Sequence, residues 1–207
     1  MSVLALDLST HAGWAVFGTP KVAGGVPKLI DYGVIENTVD LEGLGYPWTV
    51  YSTAMDIASQ VQGKIDEYTP EIIVIEQINL GRNRYAQQLL ERIHSFVLLK
   101  IFTSVDSIAT YYIDSSEWRK TVGLRLNKDQ KKANAKLSKA KRSAIETGSK
   151  LDKKALGIRG RVTWKHLSIM KANEVFSVST KDDNKADALL LGLAYFLGAK
   201  PCTGKGQ

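Results

Sequence analysis

The segment Val3-Leu-Ala-Leu-Asp-Leu-Ser-Thr-His-Ala-Gly-Trp-Ala-Val-Phe-Gly18 decides how the chain folds. Val3, Leu4, Ala5, Leu6 and Leu8 form an apolar run closed by small and polar residues, the pattern of a buried strand entering a turn. Set inside that run is a carboxylate, Asp7. Burying a carboxylate without a partner is costly. Asp7 therefore lies where the strand meets solvent, pairs with a cation or binds a metal. The plain alternative is an Asp capping a turn formed by Ser9, Thr10 and Gly13.

Working outward, Trp14 to Phe17 reads as a second strand and Lys28 to Ile35 as a third, so the chain begins with an antiparallel meander. Val50, Ala54, Ile57, Val61 and Ile65 fall on one face of a helix over Trp48–Tyr68. The β-branched run Glu71–Glu76 is a fourth strand, ending in a second carboxylate. A helix over Arg84–Thr103 and a strand over Ala109–Ile113 follow. Helical spacing resumes from Val162 to Phe176, and an apolar helix, Ala188 to Leu197, grows out of Asp182-Asp-Asn-Lys-Ala-Asp187. The expected fold class is α/β: a mixed five-stranded sheet in βββαβαβα order, flanked by helices. At 207 residues the chain is read as one domain, 1–207.

Residues 126–161 differ in kind, being lysine-rich and poor in large apolar side chains. Lys128–Arg142 reads as a charged helix and Glu146–Arg161 as a stretch that is mobile or ordered only on binding. Arg119 to Lys171 holds 17 Lys/Arg against 3 Asp/Glu, while the rest of the chain is net −7. A basic block on an acidic body fits a polyanion such as nucleic acid, or an anionic membrane surface. The single cysteine, Cys202, lies in a tail read as frayed and excludes an internal disulfide. With no signal peptide and no long apolar run, a reducing, cytoplasmic setting is expected.

Asp7 and Glu76 end or interrupt strands, and Asp183 and Asp187 stand four apart at the start of the last helix, on one face. Helix capping explains Asp182 and Asp183 well and Asp187 poorly. Four carboxylates drawn from three separate elements converge only around something cationic. Oxygen ligands suit hard divalent cations such as Mg²⁺ or Mn²⁺. Two such ions about 4 Å apart clamp the attacking and leaving oxygens of a phosphoryl displacement.

Leu4-Ala-Leu-Asp7 with Gly13 after it, Ile75-Glu76-Gln77 and Ala186-Asp187-Ala188-Leu189, in this order and spacing, resemble the RuvC-like Holliday junction resolvases of the RNase H-like fold. The likeness is to the small, diverged versions carried by bacteriophages, which would place the protein in the cytoplasm of a bacterial host cell. The resemblance implies Asp7 at the centre of the first strand, Glu76 at the end of the fourth, and two Mg²⁺ ions held by the acids. It also implies a two-fold symmetric dimer that cleaves branched DNA to 5′-phosphate and 3′-hydroxyl ends. The family's fourth ligand usually stands three residues before the last Asp, at Asn184 here. Asp183 carries charge and is preferred, with Asn184 as the fallback. An aromatic that probes the junction centre is replaced by Asn79, so a flap or fork nuclease is the neighbouring alternative.

Arg82, Asn83, Arg84, Arg119 and Lys120 are candidate DNA contacts. Lys165 and Lys185 sit near the expected site and are candidates for DNA contact or for stabilising negative charge there. His11 reads as a turn residue, His94 as a surface or half-buried one, and His166 has no metal-ligand spacing; Trp118 reads as core. Two other classes compete: an actin-like or sugar-kinase ATPase, for which so short a chain has little room, and a non-catalytic nucleic-acid-binding protein.

Overall fold

The computed structural model describes residues 1–22, 25–78, 83–104, 108–148 and 162–202. Five strands, β1 (Ser2–Asp7), β2 (His11–Gly18), β3 (Lys28–Glu36), β4 (Ile72–Glu76) and β5 (Ala109–Ile113), form one sheet in the order β3-β2-β1-β4-β5. The β1–β2 and β2–β3 pairs are antiparallel, whereas β4 runs parallel to both β1 and β5. The mixed sheet and the antiparallel start are those expected from the sequence.

Six helices occur among the described residues: α1 (Trp48–Tyr68), α2 (Arg84–Thr103), α3 (Ser115–Thr121), α4 (Lys128–Glu146), α5 (Trp164–Phe176) and α6 (Asp183–Phe196). Side chains alternate across a strand, and the two faces of the sheet feed two separate cores. Leu4, Leu6, Trp14, Val16, Ile73 and Ile75 pack against α1 and α2. Val3, Ala5, Ala15, Phe17 and Val74 pack against Trp118, Ala172 and the apolar face of α6, Ala186–Ala194. β1 is a continuous apolar run rather than an alternating one because both of its faces are covered.

Gly13 does not make a turn. It lies inside β2, paired with Asp7, and the turn runs through Leu8–Thr10. The strand needs a glycine because α6 crosses it closely: a Cβ on Gly13 would lie 1.9 Å from the Asn184 carbonyl oxygen. Gly192 plays the same part further along α6, where a Cβ would lie 2.1 Å from the Phe17 ring. Together these contacts seat the N-terminus of α6 over the end of β1.

Cys202 is not frayed: its N–H donates to the Tyr112 carbonyl at 2.7 Å, which fixes the C-terminal stretch along β5. The helix read over Lys128–Arg142 extends to Glu146. Most of the stretch expected to be mobile, 149–161, lies outside the described residues. No helix among the described residues is long and apolar enough to cross a membrane.

Candidate active site

Asp7 is the last residue of β1, not the centre of that strand, and Glu76 is the last residue of β4. The two strands are parallel neighbours, and Asp7 and Glu76 stand one step beyond the Leu6–Ile75 pair. Adjacent strands lie about 4.8 Å apart. Both acids share the parity of Val3, Ala5 and Val74, so both face the α6 side of the sheet. Ligand crevices in open α/β sheets form at such carboxyl ends. Here an open cleft of about 250 Å³ is lined by Asp7, Ser9, Glu76, Gln77, Leu90 and His94.

The N-terminus of α6 completes the group. Asp182 is its N-cap and accepts from the Lys185 N–H at 3.0 Å, while the hairpin residue His11 bridges Asp182 (2.9 Å) and Glu36 (2.7 Å). With the helix start tied down, Asp183 and Asp187 present their charges towards Asp7. The backbone of Asn184 lies on Gly13.

Each of the three inner carboxyls is held above its ordinary pKa. Burial is the main cause for Asp7, and the neighbouring charges of Glu76 and Asp187 add to it. Asp7 keeps a solvent-facing edge but sits at the floor of a concave site, where surrounding protein displaces most of its hydration. Burial also raises Glu76, against the opposing pull of Arg119 and Trp118. Asp187 is raised by burial and by Asp183, and is drawn down by Ser168 and Arg119. The Ser168 hydroxyl is fully buried beside Asp187 without closing a good hydrogen bond to it, so Asp187 Oδ1 is buried and unpartnered.

Two cations stand among these acids. The Arg119 guanidinium lies 3.9 Å from Glu76 and 3.8 Å from Asp187, and it stacks 4.7 Å over the Trp118 ring. Lys165, in the first turn of α5, pairs with Asp183, which raises the lysine's pKa. Trp118, wholly buried, donates its indole N–H to Glu76 Oε2 at 2.6 Å.

The donor set fits a hard divalent cation. It is all carboxylate oxygen, it is crowded with like charge, and one of its buried oxygens has no partner. As they stand, no three His, Cys, Asp or Glu side chains among the described residues are gathered tightly enough to hold an ion. The arrangement gives a physical reason: Arg119 lies within 4 Å of both Glu76 and Asp187, Trp118 engages one oxygen of Glu76, and Lys165 pairs with Asp183.

Other sequence candidates fall elsewhere. Asn83 caps α2, accepting from the N–H groups of Tyr85 and Ala86, and Arg84 is exposed at that helix start. Lys120 is exposed and pairs with Glu117 at 3.7 Å. Lys185 stands in the first turn of α6. Arg82 and Asn79 lie outside the described residues. His94 is buried, not a surface residue, and stacks on Tyr112. Arg119, read as a candidate DNA contact, reaches into the carboxylates. Sequence reasoning missed α3, which carries Trp118 and Arg119. Its one available signal was the capping pattern Asp114-Ser-Ser-Glu117, and the Asp114 side chain does accept from the Ser116 N–H.

Known proteins extend this picture. No protein-family model matches the sequence, and no curated protein does. Among solved structures, RuvC of Thermus thermophilus in complex with a Holliday junction substrate superposes with a TM-score of 0.64 at 15% identity, covering 98% of this chain and 100% of that one. A further Thermus thermophilus RuvC structure gives 0.63 at 15%, again over 98% and 100%. The yeast mitochondrial Holliday junction resolvase Ydc2 gives 0.51 at 15%, covering 94% of this chain and 77% of that one. At such identity the likeness is one of fold: the chain has the RuvC-like, RNase H-like fold.

Proposed function

We propose that the protein is a divalent-metal-dependent endonuclease acting on branched DNA, with the four-way junction as its principal substrate. One observation carries the reading: Asp7, Glu76 and Asp187, from three separate elements, meet on one sheet face at the ends of parallel strands, each held above its ordinary pKa. Repulsion of this kind is relieved by bound cations. The fold is shared with RuvC, solved with a Holliday junction substrate, and that likeness supports the choice of branched DNA.

Asp7, Glu76, Asp187 and Asp183 would hold two Mg²⁺ or Mn²⁺ ions. Asp183 is chosen over Asn184 because its charge reaches Asp7 and Asp187. When bound, the ions supply Lewis acidity at the scissile phosphate and a nucleophilic water at neutral pH. The chain's own residues do the rest. Trp118 fixes one oxygen of Glu76 and so orients the other. Arg119 and Lys165 provide positive charge beside the phosphate as negative charge develops in the transition state. Water adds to phosphorus and the P–O3′ bond breaks, leaving 5′-phosphate and 3′-hydroxyl ends.

A four-way junction has two equivalent strands to cut, so the working unit is a homodimer. Tyr51, Met55, Leu99 and Phe102 on the outer face of α1 and α2 are exposed, and Tyr51 packs edge-on against Phe96 across the two helices. This is apolar surface suited to a second copy. The 1–207 chain acts as one nuclease domain, with 126–161 as its basic insertion.

The test is cleavage of end-labelled four-way junction, flap and linear duplex DNA with Mg²⁺, Mn²⁺ or EDTA. Paired symmetric nicks in the junction, abolished by EDTA, are expected. Flap or fork cutting in place of junction cutting would move the substrate while keeping the metal site. No cleavage of any substrate with either metal would overturn the reading.

A further inference from the structure

The basic insertion is not a detached arm. Asn134 of α4 clamps Val162 with two hydrogen bonds: its amide donates to the Val162 carbonyl at 2.8 Å, and its carbonyl accepts from the Val162 N–H at 3.1 Å. Leu137, one turn on, is buried. Val162 immediately precedes Thr163, the N-cap of α5, and two residues later Lys165 reaches Asp183. A short, hydrogen-bonded path therefore runs from the basic helix to the candidate catalytic carboxylates.

The rest of α4 is arranged around that anchor. At about 100° per residue, Lys128, Lys131, Lys132, Lys139 and Arg142 all fall within roughly 60° of the direction opposite Leu137. All five are exposed, and among the described residues no carboxylate pairs with them. Asn127 and Gln130 form a complete capping box, so the helix is built to stand despite its like charges. Five cations over about 21 Å of helix meet a strand whose phosphates recur about every 3.4 Å.

We infer that α4 is a phosphate-binding rail that grips the duplex arm leading out of the cleavage site, so that the insertion sets affinity for DNA arms beside the catalytic cleft. This rests on the nuclease reading above. DNA is chosen over an anionic membrane because the rail is tied to the carboxylate site and because its outward face, five cations with Glu146 at its end, carries no large apolar residue. A membrane-binding helix would carry an apolar face beside its charges.

The experiment compares the wild type with the quadruple variant Lys131→Gln, Lys132→Gln, Lys139→Gln, Arg142→Gln. Glutamine keeps helix propensity close to that of the residues replaced. Binding to fluorescent four-way junction and to linear duplex is followed by anisotropy across a salt series in EDTA. The variant is expected to bind at least tenfold more weakly at 0.1 M salt, with a salt slope shallower by about 3 to 4 for the four charges lost. Arginine at the same three lysine positions should restore both values, which a folding defect would not allow. Equal affinity and slope in variant and wild type would overturn the rail while leaving junction cleavage intact. A variant that keeps its DNA affinity but loses binding to phosphatidylserine-rich vesicles would also overturn it, in favour of a membrane role. A wild type that neither binds nor cleaves DNA would instead remove the nuclease reading itself.

Discussion

The Cβ that Gly13 lacks would fall 1.9 Å from the backbone carbonyl oxygen of Asn184, so the missing methyl is what lets α6 lie on β2. Since Gly13 is the sheet partner of Asp7, the same contact sets how close Asp183 and Asp187 come to Asp7. The obstacle is main chain on both sides and has no rotamer with which to give way. Gly13→Ala is expected to destabilise the protein by about 1–3 kcal/mol, as overpacking usually does. It should also lower cleavage far more than it lowers DNA binding. Urea denaturation and single-turnover cleavage check the two parts, and an alanine variant with normal activity would mean that α6 does not set the carboxylate spacing.

Trp118 serves two ends with one ring. It fills the core between the sheet and α6, and its N–H holds Glu76 at 2.6 Å. A hydrogen bond to a charged group contributes about 1.5–3 kcal/mol. Trp118→Phe keeps an aromatic ring and removes the donor. The expected result is a kcat at least tenfold lower, a higher Mg²⁺ requirement and little change in KM for the junction. Were Trp118 only core, stability would fall while the Mg²⁺ requirement stayed where it was.

Asp7 stands among like charges at the floor of the site, so its ionised form opposes folding in the metal-free protein. Asp7→Asn removes that charge at nearly constant volume. Cleavage is expected to disappear, DNA binding in EDTA to persist or tighten, and the metal-free Tm at neutral pH to rise by a few degrees. Thermal melts and anisotropy report on the last two. A variant that lost stability, binding and cleavage together would show Asp7 to be a structural residue.

The elements with long, regular patterns could be read from the sequence almost to the residue. The stretches read as Trp48–Tyr68, Arg84–Thr103 and Ala109–Ile113 are α1, α2 and β5, because apolar periodicity over several turns, or a β-branched run between breakers, has few other readings. The acids were legible for a related reason: Asp7, Glu76 and Asp187 interrupt apolar patterns, which draws attention to them. What they touch was not legible. α3 spans seven residues, too few to show a period, and Trp118 looks like any core tryptophan until α3 is placed against β4. The spacing of Gly13 from Asp7 suggested a turn, and only the crossing of α6 over β2 shows why a glycine stands there.

His94 gives the molecule a pH dependence of definite sign. Its ring stacks on Tyr112 and is buried under the α2 side of the sheet, and burial holds its pKa at about 4 rather than 6.5. The same burial pushes the Tyr112 hydroxyl up to about 12, so it stays protonated throughout. An unfolded His94 takes up a proton near pH 6.5, while the folded one resists until about pH 4. Its contribution to stability is therefore complete above pH 6.5 and drains away as pH falls through that window, at up to about 1.4 kcal/mol per pH unit and roughly 3 kcal/mol in all. His94→Gln has no proton to gain. The difference in unfolding free energy between wild type and variant, from urea titrations at pH 7.5 and pH 4.5, should shrink or reverse at the lower pH. A difference that stays constant between the two would mean that His94 is already solvated in the folded protein.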